Sequence, residues 1–162
     1  MITIIAAMDL DGVIGNQGHM PWHDHQELAL FRSLTMGHKL FMGRTTWESL
    51  PNPLEDRQIM IVSHHNDLLC KHGEIICQDP ISILRKYQNT KEMIMVGGGR
   101  KVYEMALPYA DTLYLSIMKQ RYHGDTTFPE WNKTDYSCIE TRDYPTFTWY
   151  SYKRKKGTLC DL

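Results

Sequence analysis

Short apolar runs separated by helical patterns fill the first two thirds of the chain. Six of these runs have the length and composition of buried strands: 2–7, 39–42, 58–63, 75–77, 93–96 and 113–118. Helices are predicted between them, at 24–35, 45–50, 80–87 and 100–107. The last third alternates between apolar and polar residues at 136–141 and 147–153, as in an antiparallel hairpin.

The order of these elements predicts the fold class. Strands that alternate with helices favour a parallel sheet covered by helices, and a terminal hairpin adds antiparallel pairing at its edge. We therefore expect an α/β fold with one domain over 1–162 and three layers. Its central sheet is mostly parallel, with about eight strands, an antiparallel C-terminal edge strand and about four flanking helices.

One carboxylate interrupts the apolar face of the first predicted helix. Glu27 shares that face with Leu30, Phe31 and Leu34, because residues three, four and seven apart lie together on a helix. Burying a charge is unfavourable unless a partner compensates it. Two interpretations fit this position: Glu27 closes a capping box with Asp24, or it faces a ligand pocket.

Composition and charge exclude several classes of function. The chain has 18 Lys and Arg against 19 Asp and Glu, and the net charge of −1 argues against nucleic-acid or anionic-membrane partners. It shows no secretory signal pattern and no apolar run long enough to span a membrane, so we expect a cytoplasmic protein. Its eight histidines and four cysteines lack the spacing of metal ligands or of a disulfide framework. We expect no metal site, and reduced thiols.

Two segments share the order apolar strand, glycine, polar residues and helix, namely 40–48 and 94–104. The free N–H groups at a helix start bind anions, and Arg44 and Arg100 add charge that suits phosphate. Ser63 and His64 end a neighbouring strand and could hold a further phosphate. Each pattern alone also fits an ordinary turn, and Thr45-x-x-Glu48 has the spacing of a capping box. Together they favour a dinucleotide with an additional ribose phosphate, although no Rossmann fingerprint is present.

Motifs in a fixed order connect these features. They are Ile5-Ala6-Ala7, Val13-Ile14-Gly15, Met20-Pro21-Trp22, Glu27-Leu28-x-x-Phe31, Met42-Gly43-Arg44-x-Thr46-Trp47-Glu48-Ser49, Pro53-Leu54-x-x-Arg57, Gly97-Gly98-Gly99 with Val102-Tyr103-Glu104, and Gly124-Asp125-Thr126-x-Phe128-Pro129. Over about residues 1–155 the ordered set resembles the dihydrofolate reductase family. No single motif is decisive, but the ordered set is highly specific.

The resemblance implies a reaction and a catalytic set. NADPH would give a hydride to C6 of 7,8-dihydrofolate, N5 would gain a proton, and tetrahydrofolate would form. Glu27 matches the carboxylate that binds the pterin, whose paired donors suit its two acceptor oxygens. Trp22 would help to fix a water near Glu27, and a water admitted near Met20 would be the last proton donor.

The resemblance also implies a substrate pocket. Arg57 would bind the α-carboxylate of the folate glutamate with two hydrogen bonds. Ser116 stands where the family has threonine, close to Glu27 and the pterin. The pterin and benzoyl groups would be walled by Ile5, Ala6, Leu28, Phe31, Leu50 and Leu54. Without the resemblance, these six residues read as ordinary core and Arg57 as a solvated arginine.

The same resemblance implies a cofactor site. The nicotinamide half would be contacted by Ala7, Ile14, Gly15, His19 and Tyr103. The ribose phosphates and the pyrophosphate would be held by Gly43, Arg44, Thr45, Thr46, Ser63 and His64, with Gly98, Gly99, Arg100, Lys101 and Val102 at the second turn. Residues 9–23, which we name the lid, would close over the nicotinamide, with glycines that make it flexible.

Several departures and alternatives remain at this point. The paired glycines that the family joins by a cis peptide are Gly97-Gly98 or Gly98-Gly99, and the spacing to Tyr103 favours the second pair. Gly97 then stands where many members have a bulky apolar residue, which predicts extra room or filling by Met95 or Met118. A related pyrimidine or pterin reductase and a non-catalytic nucleotide- or folate-binding module are the competing functions. A monomer that binds antifolates is the expectation at the level of the family.

Overall fold

The structure is a computed structural model that describes residues 1–157. Cys160, one of the thiols expected to be reduced, lies outside the described residues. The strands are β1 (Ile2–Met8), β2 (Val13–Gly15), β3 (Lys39–Gly43), β4 (Gln58–Val62), β5 (Ile75–Cys77), β6 (Ile94–Val96), β7 (Thr112–Met118), β8 (Thr126–Thr127), β9 (Tyr136–Asp143) and β10 (Phe147–Arg154). The α-helices are α1 (His25–Thr35), α2 (Arg44–Glu48), α3 (Pro80–Gln88) and α4 (Arg100–Ala106), and short 3-10 turns occupy Leu107–Tyr109 and Lys133–Asp135.

An eight-stranded sheet forms the centre of the molecule, in the order β5-β4-β3-β6-β1-β7-β10-β9. The pairs from β5 to β7 are parallel, whereas β10 runs antiparallel to both β7 and β9. The predicted α/β class, the mostly parallel sheet, its antiparallel C-terminal strand and the four helices are confirmed. The carboxyl ends of β1, β3, β4 and β6 meet at one edge of the sheet, which is where parallel sheets place their ligands.

Both faces of the sheet are covered, because alternate residues of its strands point to opposite sides. On one face Ile4, Phe41 and Val96 pack in a cluster that also takes residues from α3 and α4. On the other face Leu40 and Met95 belong to a second cluster, against which side chains of α1 and α2 pack. The result is the expected three-layer arrangement, and α1 and α2 lie on the same face.

A second, two-stranded sheet was not predicted from the sequence. β2 pairs antiparallel with β8, with Val13 opposite Thr127 and Gly15 opposite Thr126. Strands of three and two residues are too short to produce a recognisable alternating pattern, and the glycines around them indicate a loop. This small sheet joins the middle of the lid to the segment that precedes β9.

Candidate active site

Two strand–glycine–helix turns meet at the carboxyl edge of the sheet. The Gly43 N–H donates to the Gly98 carbonyl at 2.8 Å, and the Gly97 N–H donates to the Phe41 carbonyl at 2.8 Å. A Cβ on Gly99 would lie 3.3 Å from Thr46 Oγ1, so the start of α2 approaches the second turn closely. The structure therefore brings together the two segments that the sequence marked as anion sites.

The peptide bond between Gly98 and Gly99 is cis, which confirms the second of the two possible registers. Gly98 has a φ of 106°, and a Cβ there would lie 3.0 Å from the Tyr103 hydroxyl. A side chain is excluded at this position by both the backbone conformation and the contact. Tyr103 lies in turn against the end of β1, because its hydroxyl donates to the Ile5 carbonyl at 2.9 Å.

Glu27 lies on the inner face of α1 and is only 6% exposed. Burial, and then repulsion from the Asp24 carboxylate, raise the pKa of Glu27 to about 7. The same burial effect, with the Glu27 charge added, raises the pKa of Tyr103. Within residues 1–157 no side chain or backbone group donates a hydrogen bond to the Glu27 carboxylate. A buried carboxylate without a donor is unusual and is the clearest mark of a ligand site in this molecule.

The capping-box interpretation of Glu27 is only half right. Asp24 is the N-cap of α1 and its Oδ1 accepts from the Glu27 N–H at 3.0 Å. Among the described residues, the reciprocal bond, in which the Asp24 N–H would donate to the Glu27 carboxylate, is not formed. Hydrogen bonds from Thr146 and from backbone N–H groups outweigh partial burial and lower the pKa of Asp24. Asp24 thus starts the helix, and the Glu27 carboxylate is left free for another partner.

Several of the predicted wall residues pack together on the α1 face of the sheet. Phe31, Leu50 and Leu54 pack against the cluster that contains Ile5. Ala6 points to the opposite face, where it belongs to the other core cluster. Leu28 is 41% exposed and does not belong to either cluster. We name the carboxylate and its surroundings (Glu27, Ile5, Phe31, Leu50 and Leu54) the apolar half of the site.

Ser116 and Trp22 lie on the neighbouring side of α1. Ser116 is buried in β7 and pairs with Ala7 of β1 on one side and Trp149 of β10 on the other. Trp22 is buried with Trp149 in a third cluster, against which Ala7 packs. The Trp22 indole N–H is buried and has no acceptor within the described residues. A buried N–H of this kind needs an acceptor, and a bound water would supply one.

Arg57 is held next to the C-terminal end of α1. Its Nε donates to the Glu55 carbonyl at 2.9 Å, and its Nη1 donates at 3.3 Å to the buried hydroxyl of Thr35. Partial burial and the charge of Arg32 lower the pKa of Arg57. Two neighbouring guanidinium groups would suit a carboxylate. The charge of Arg32 beside Arg57 was not predicted from the sequence, although Arg32 directly follows Phe31 on the same helix.

The predicted phosphate-binding side chains lie along the ends of β3 and β4 and are mostly exposed. Ser63 is buried and its hydroxyl accepts from the His65 N–H, whereas His64 is exposed. Arg44 forms an ion pair with Glu48 at 2.8 Å, and its side chain is 43% exposed. Thr45 is exposed on the first turn of α2, and Lys101 on that of α4. Within residues 1–157, no hydrogen bond or ion pair joins these side chains to one another.

The helix starts themselves are open. Gly43 caps α2 and Gly99 caps α4, and neither helix start has a side-chain hydrogen bond. The alternative capping box between Thr45 and Glu48 is therefore wrong, since Glu48 pairs with Arg44 instead. Val102 lies close to Gly43, where a Cβ would be 3.3 Å from its Cγ2. We name these helix starts, together with Arg44, Ser63 and His64, the polar half of the site.

Arg100 has a different environment from Arg44. Its Nε pairs with Glu104 at 2.9 Å, and its Nη1 donates to the Thr127 carbonyl at 3.1 Å and to the Thr127 hydroxyl at 2.7 Å. The side chain thus links α4 to β8. Its guanidinium is more fully engaged than that of Arg44, so Arg100 contributes to the architecture of the cofactor side as well as to its charge.

Gly97 faces the α1 side of the sheet. A Cβ there would lie 3.2 Å from Leu40 Cδ1 and 3.8 Å from Met42 Cε. Leu40 and Met42, rather than Met95 or Met118, are therefore the neighbours that occupy the space next to this glycine. Side chains of the adjacent strand β3 therefore fill the space that a larger residue at position 97 would occupy.

The lid is closed onto the segment around Gly124. Ile14 packs against the core, and the Gly15 carbonyl accepts from the Asp125 N–H at 3.1 Å. A Cβ on Gly124 would lie 2.6 Å from the Gly15 oxygen, so the two backbones touch. The Gln17 N–H donates to the Asp125 carboxylate at 3.0 Å. His19 and Met20 are exposed on the lid's outer part.

Residues 1–157 contain neither a cluster of metal ligands nor a membrane-spanning helix. No group of three or more His, Cys, Asp or Glu side chains is arranged to hold a metal ion. No helix in this range combines the length and the apolar character that a membrane span requires. Cys70, Cys77 and Cys138 are free thiols.

Comparisons with known proteins agree with this geometry. The family model described as dihydrofolate reductase matches residues 1–155. Dihydrofolate reductase of Mycoplasma genitalium is 34% identical over 160 residues, which cover 96% of this chain and 99% of that protein. Dihydrofolate reductase type 3 of Salmonella typhimurium is 32% identical over 159 residues, which cover 98% of this chain and 97% of that protein.

A solved structure agrees as well. Dihydrofolate reductase from Enterococcus faecalis, complexed with NADP(H) and RAB-propyl, has a TM-score of 0.86 and 27% sequence identity, over 96% of this chain and 97% of that chain. The family model, the relatives and the fold together define an NADP-dependent reductase. The chain belongs to the dihydrofolate reductase family.

Proposed function

We propose that this chain reduces 7,8-dihydrofolate to 5,6,7,8-tetrahydrofolate with NADPH, and that Glu27 binds the pterin ring. The family supports the reaction, and a relative with the same fold is complexed with NADP(H). The observation that carries the residue assignment is the buried Glu27 carboxylate, which has no hydrogen-bond donor among the described residues. A ligand with two adjacent N–H donors would satisfy both of its oxygens.

Glu27 acts in this proposal through charge and orientation. The pterin 2-amino group and a ring N–H donate to its two oxygens, which fixes the ring in the apolar half of the site. Positive charge develops on the pterin when N5 is protonated, and a nearby carboxylate stabilises it. Because burial holds the pKa of Glu27 at about 7, the group changes charge within the physiological range, and turnover is expected to depend on pH.

The proton reaches N5 by way of water in this proposal. The buried Trp22 indole N–H is free to hydrogen-bond a water next to the pocket, and the exposed Met20 leaves an approach from solvent. Ser116 adds a buried hydroxyl on the β7 side. Trp22 and Ser116 are therefore positioning residues in this proposal, whereas Glu27 contacts the substrate.

The polar half of the site fits NADPH. Its open helix starts and the glycines at 43, 98 and 99 allow phosphate groups to approach the backbone, and Arg44, Ser63 and His64 surround this region. When bound, NADPH supplies the hydride that C6 receives. Ala7, Ile14 and Gly15 lie where β1 and the lid meet, and they would keep water from the nicotinamide.

Arg57 supports folate rather than a smaller pterin or pyrimidine. Its Nη2 has no partner among the described residues, and Arg32 adds a second positive charge. The α-carboxylate of the folate glutamate would bind this pair. Replacing Arg57 by Gln should raise the KM for dihydrofolate about tenfold, as expected for a lost charge-assisted hydrogen bond. A pterin substrate without the glutamate tail should be unaffected, and it serves as the control.

One assay tests the reaction itself. NADPH absorbance is followed with and without dihydrofolate, and with a diaminopyrimidine antifolate added. The proposal predicts NADPH loss that depends on dihydrofolate and that the antifolate suppresses. No such loss would reject the reaction, and equal loss with a pterin lacking the tail would favour the related pterin reductase. We also propose one domain over 1–162, a monomer, a cytoplasmic location and no nucleic-acid partner.

A further inference from the structure

We propose that Asp9 is a positioning residue that fixes the lid against residues 119–125 and so governs how tightly the nicotinamide half of NADPH is held. Asp9 follows the last residue of β1 and is 1% exposed. Such deep burial of a carboxylate requires hydrogen-bond donors. The proposal rests on the proposed function, because it concerns the same cofactor.

Each oxygen of the Asp9 carboxylate bonds to a different segment. Oδ1 accepts from the N–H groups of Asp11 and Val13, both at 2.8 Å. Oδ2 accepts from the Tyr122 N–H at 2.7 Å. The first oxygen therefore shapes the start of the lid, and the second attaches it to a segment 113 residues further along the chain.

The hydrogen bonds between Asp9 and the start of the lid set the position of β2. Besides the side-chain bonds, the Asp9 N–H donates to the Val13 carbonyl at 3.0 Å, and the Gly12 N–H donates to the Asp9 carbonyl at 3.1 Å. This closed turn leads directly into Ile14 and Gly15, the residues proposed to contact the nicotinamide. A shift of the turn would displace both.

The hydrogen bond to Tyr122 connects Asp9 to the other end of the lid. The Tyr122 ring packs on Trp22, with 5.2 Å between ring centroids. One carboxylate thus connects to both ends of the lid, to its first turn directly and to Trp22 through Tyr122. An exposed ion pair between Asp11 and Arg121, at 3.2 Å, joins the same two segments at the surface. Exposed pairs contribute little, so this second link provides a matched control.

The variant Asp9→Asn distinguishes the contacts of Asp9 with the lid turn from its contact with Tyr122. The amide oxygen can still accept from the lid turn, as asparagine does in such turns, but its NH2 group would face the Tyr122 N–H donor to donor. We expect the Kd for NADPH to rise about tenfold, which corresponds to about 1.4 kcal/mol. The Kd for adenosine 2′,5′-bisphosphate, which lacks the nicotinamide, should change less than twofold, and kcat should fall while the dihydrofolate KM stays within twofold.

Arg121→Gln, which removes only the surface pair, should leave all of these values unchanged. Equal weakening of NADPH and the bisphosphate in Asp9→Asn would show a general structural role and overturn the proposal, as would an unchanged Kd for NADPH. If Asp9→Asn does not fold, Asp9→Ser decides by the same comparison, since its hydroxyl can serve the lid turn but is too short for Tyr122. The binding measurements do not use dihydrofolate, so their result is independent of the wild-type turnover that tests the proposed function.

Discussion

In the apolar half of the site one charged group lies among buried side chains, whereas in the polar half the charged groups lie at the surface. Glu27 is 6% exposed and its pKa is raised to about 7. Arg44 is 43% exposed and pairs with Glu48 on its own helix. The apolar half therefore depends on desolvation, and the polar half depends on backbone N–H groups and on solvated charge.

This difference teaches where sequence changes have large effects. A charge in a desolvated pocket interacts strongly with a ligand, because little water screens it. A solvated arginine contributes less per contact, and several groups share the binding of a phosphate. Substitutions in the apolar half should therefore affect chemistry, and those in the polar half should affect cofactor choice.

The largest effect is expected for Glu27→Gln. The amide keeps the size of the side chain but loses the charge that, in the proposed function, orients and stabilises the protonated pterin. Turnover at pH 7 should fall about 10²-fold or more, the range seen when one preorganised electrostatic group is removed. The Kd for NADPH, measured by fluorescence, should stay within twofold. Turnover within twofold of the wild type would remove Glu27 from the mechanism.

The same variant should change how stability depends on pH. The folded-state pKa of Glu27 is raised from 4.5 to about 7, so its contribution to stability is fully present below pH 4.5 and is lost as pH rises through 7. At pH 8 the neutral glutamine avoids this cost, and Glu27→Gln should be more stable than the wild type by roughly 3 kcal/mol or less. Urea unfolding at pH 4 and pH 8 measures the difference, and an equal gain at both pH values would contradict the assignment.

A smaller effect is expected in the polar half. Arg44→Leu should raise the Kd for NADPH about tenfold, as for a lost hydrogen bond to a charged group, and leave the Kd for NADH nearly unchanged. Arg100→Leu is the matched comparison, because Arg100 is also bonded to Thr127 and Glu104. This variant should weaken the binding of NADPH and NADH to the same extent. Equal weakening of NADPH and NADH by Arg44→Leu would place the 2′-phosphate elsewhere.

The smallest effect is expected at Asp24, which connects α1 to the β9–β10 turn. The Asp24 charge raises the pKa of Glu27, and asparagine would keep the helix cap without that charge. Asp24→Asn should lower the pKa of Glu27, by less than burial raises it, and move the pH profile of turnover to lower pH. Thr146→Val removes the other Asp24 contact without changing its charge and should leave the profile in place. A shift in the opposite direction would refute the electrostatic link.

The sequence predicted the features that depend on local pattern. Buried parallel strands such as β1 and β3 appear as continuous apolar runs, and Glu27 stood out because its position on the apolar face is set by helical spacing. The strand–glycine–helix turns were also predictable, because each is a continuous stretch of apolar run, glycine and helical pattern. The paired glycines were placed by their spacing to Tyr103, and the cis bond agrees with that register.

The features that depend on distant contacts could not be predicted. Asp9 accepts a hydrogen bond from the backbone N–H of Tyr122, 113 residues away. Every residue except proline has such an N–H, so the identity of residue 122 gives no sign of this contact. The packing of Leu40 next to Gly97 depends on the register between β3 and β6, which the sequence does not specify. The capping box of Glu27 was uncertain because spacing alone does not show which way the carboxylate turns.

In the proposed function, the Glu27 carboxylate is desolvated, titrates near neutrality and faces the pterin. The most direct test is a pH titration of the protein with 13C-labelled glutamate carboxyl groups, followed by NMR and repeated on Glu27→Gln. We expect one carboxyl signal with a midpoint near pH 7 that is missing from the variant. Titration of every glutamate signal below about pH 5, near the ordinary pKa of the residue, would contradict the account.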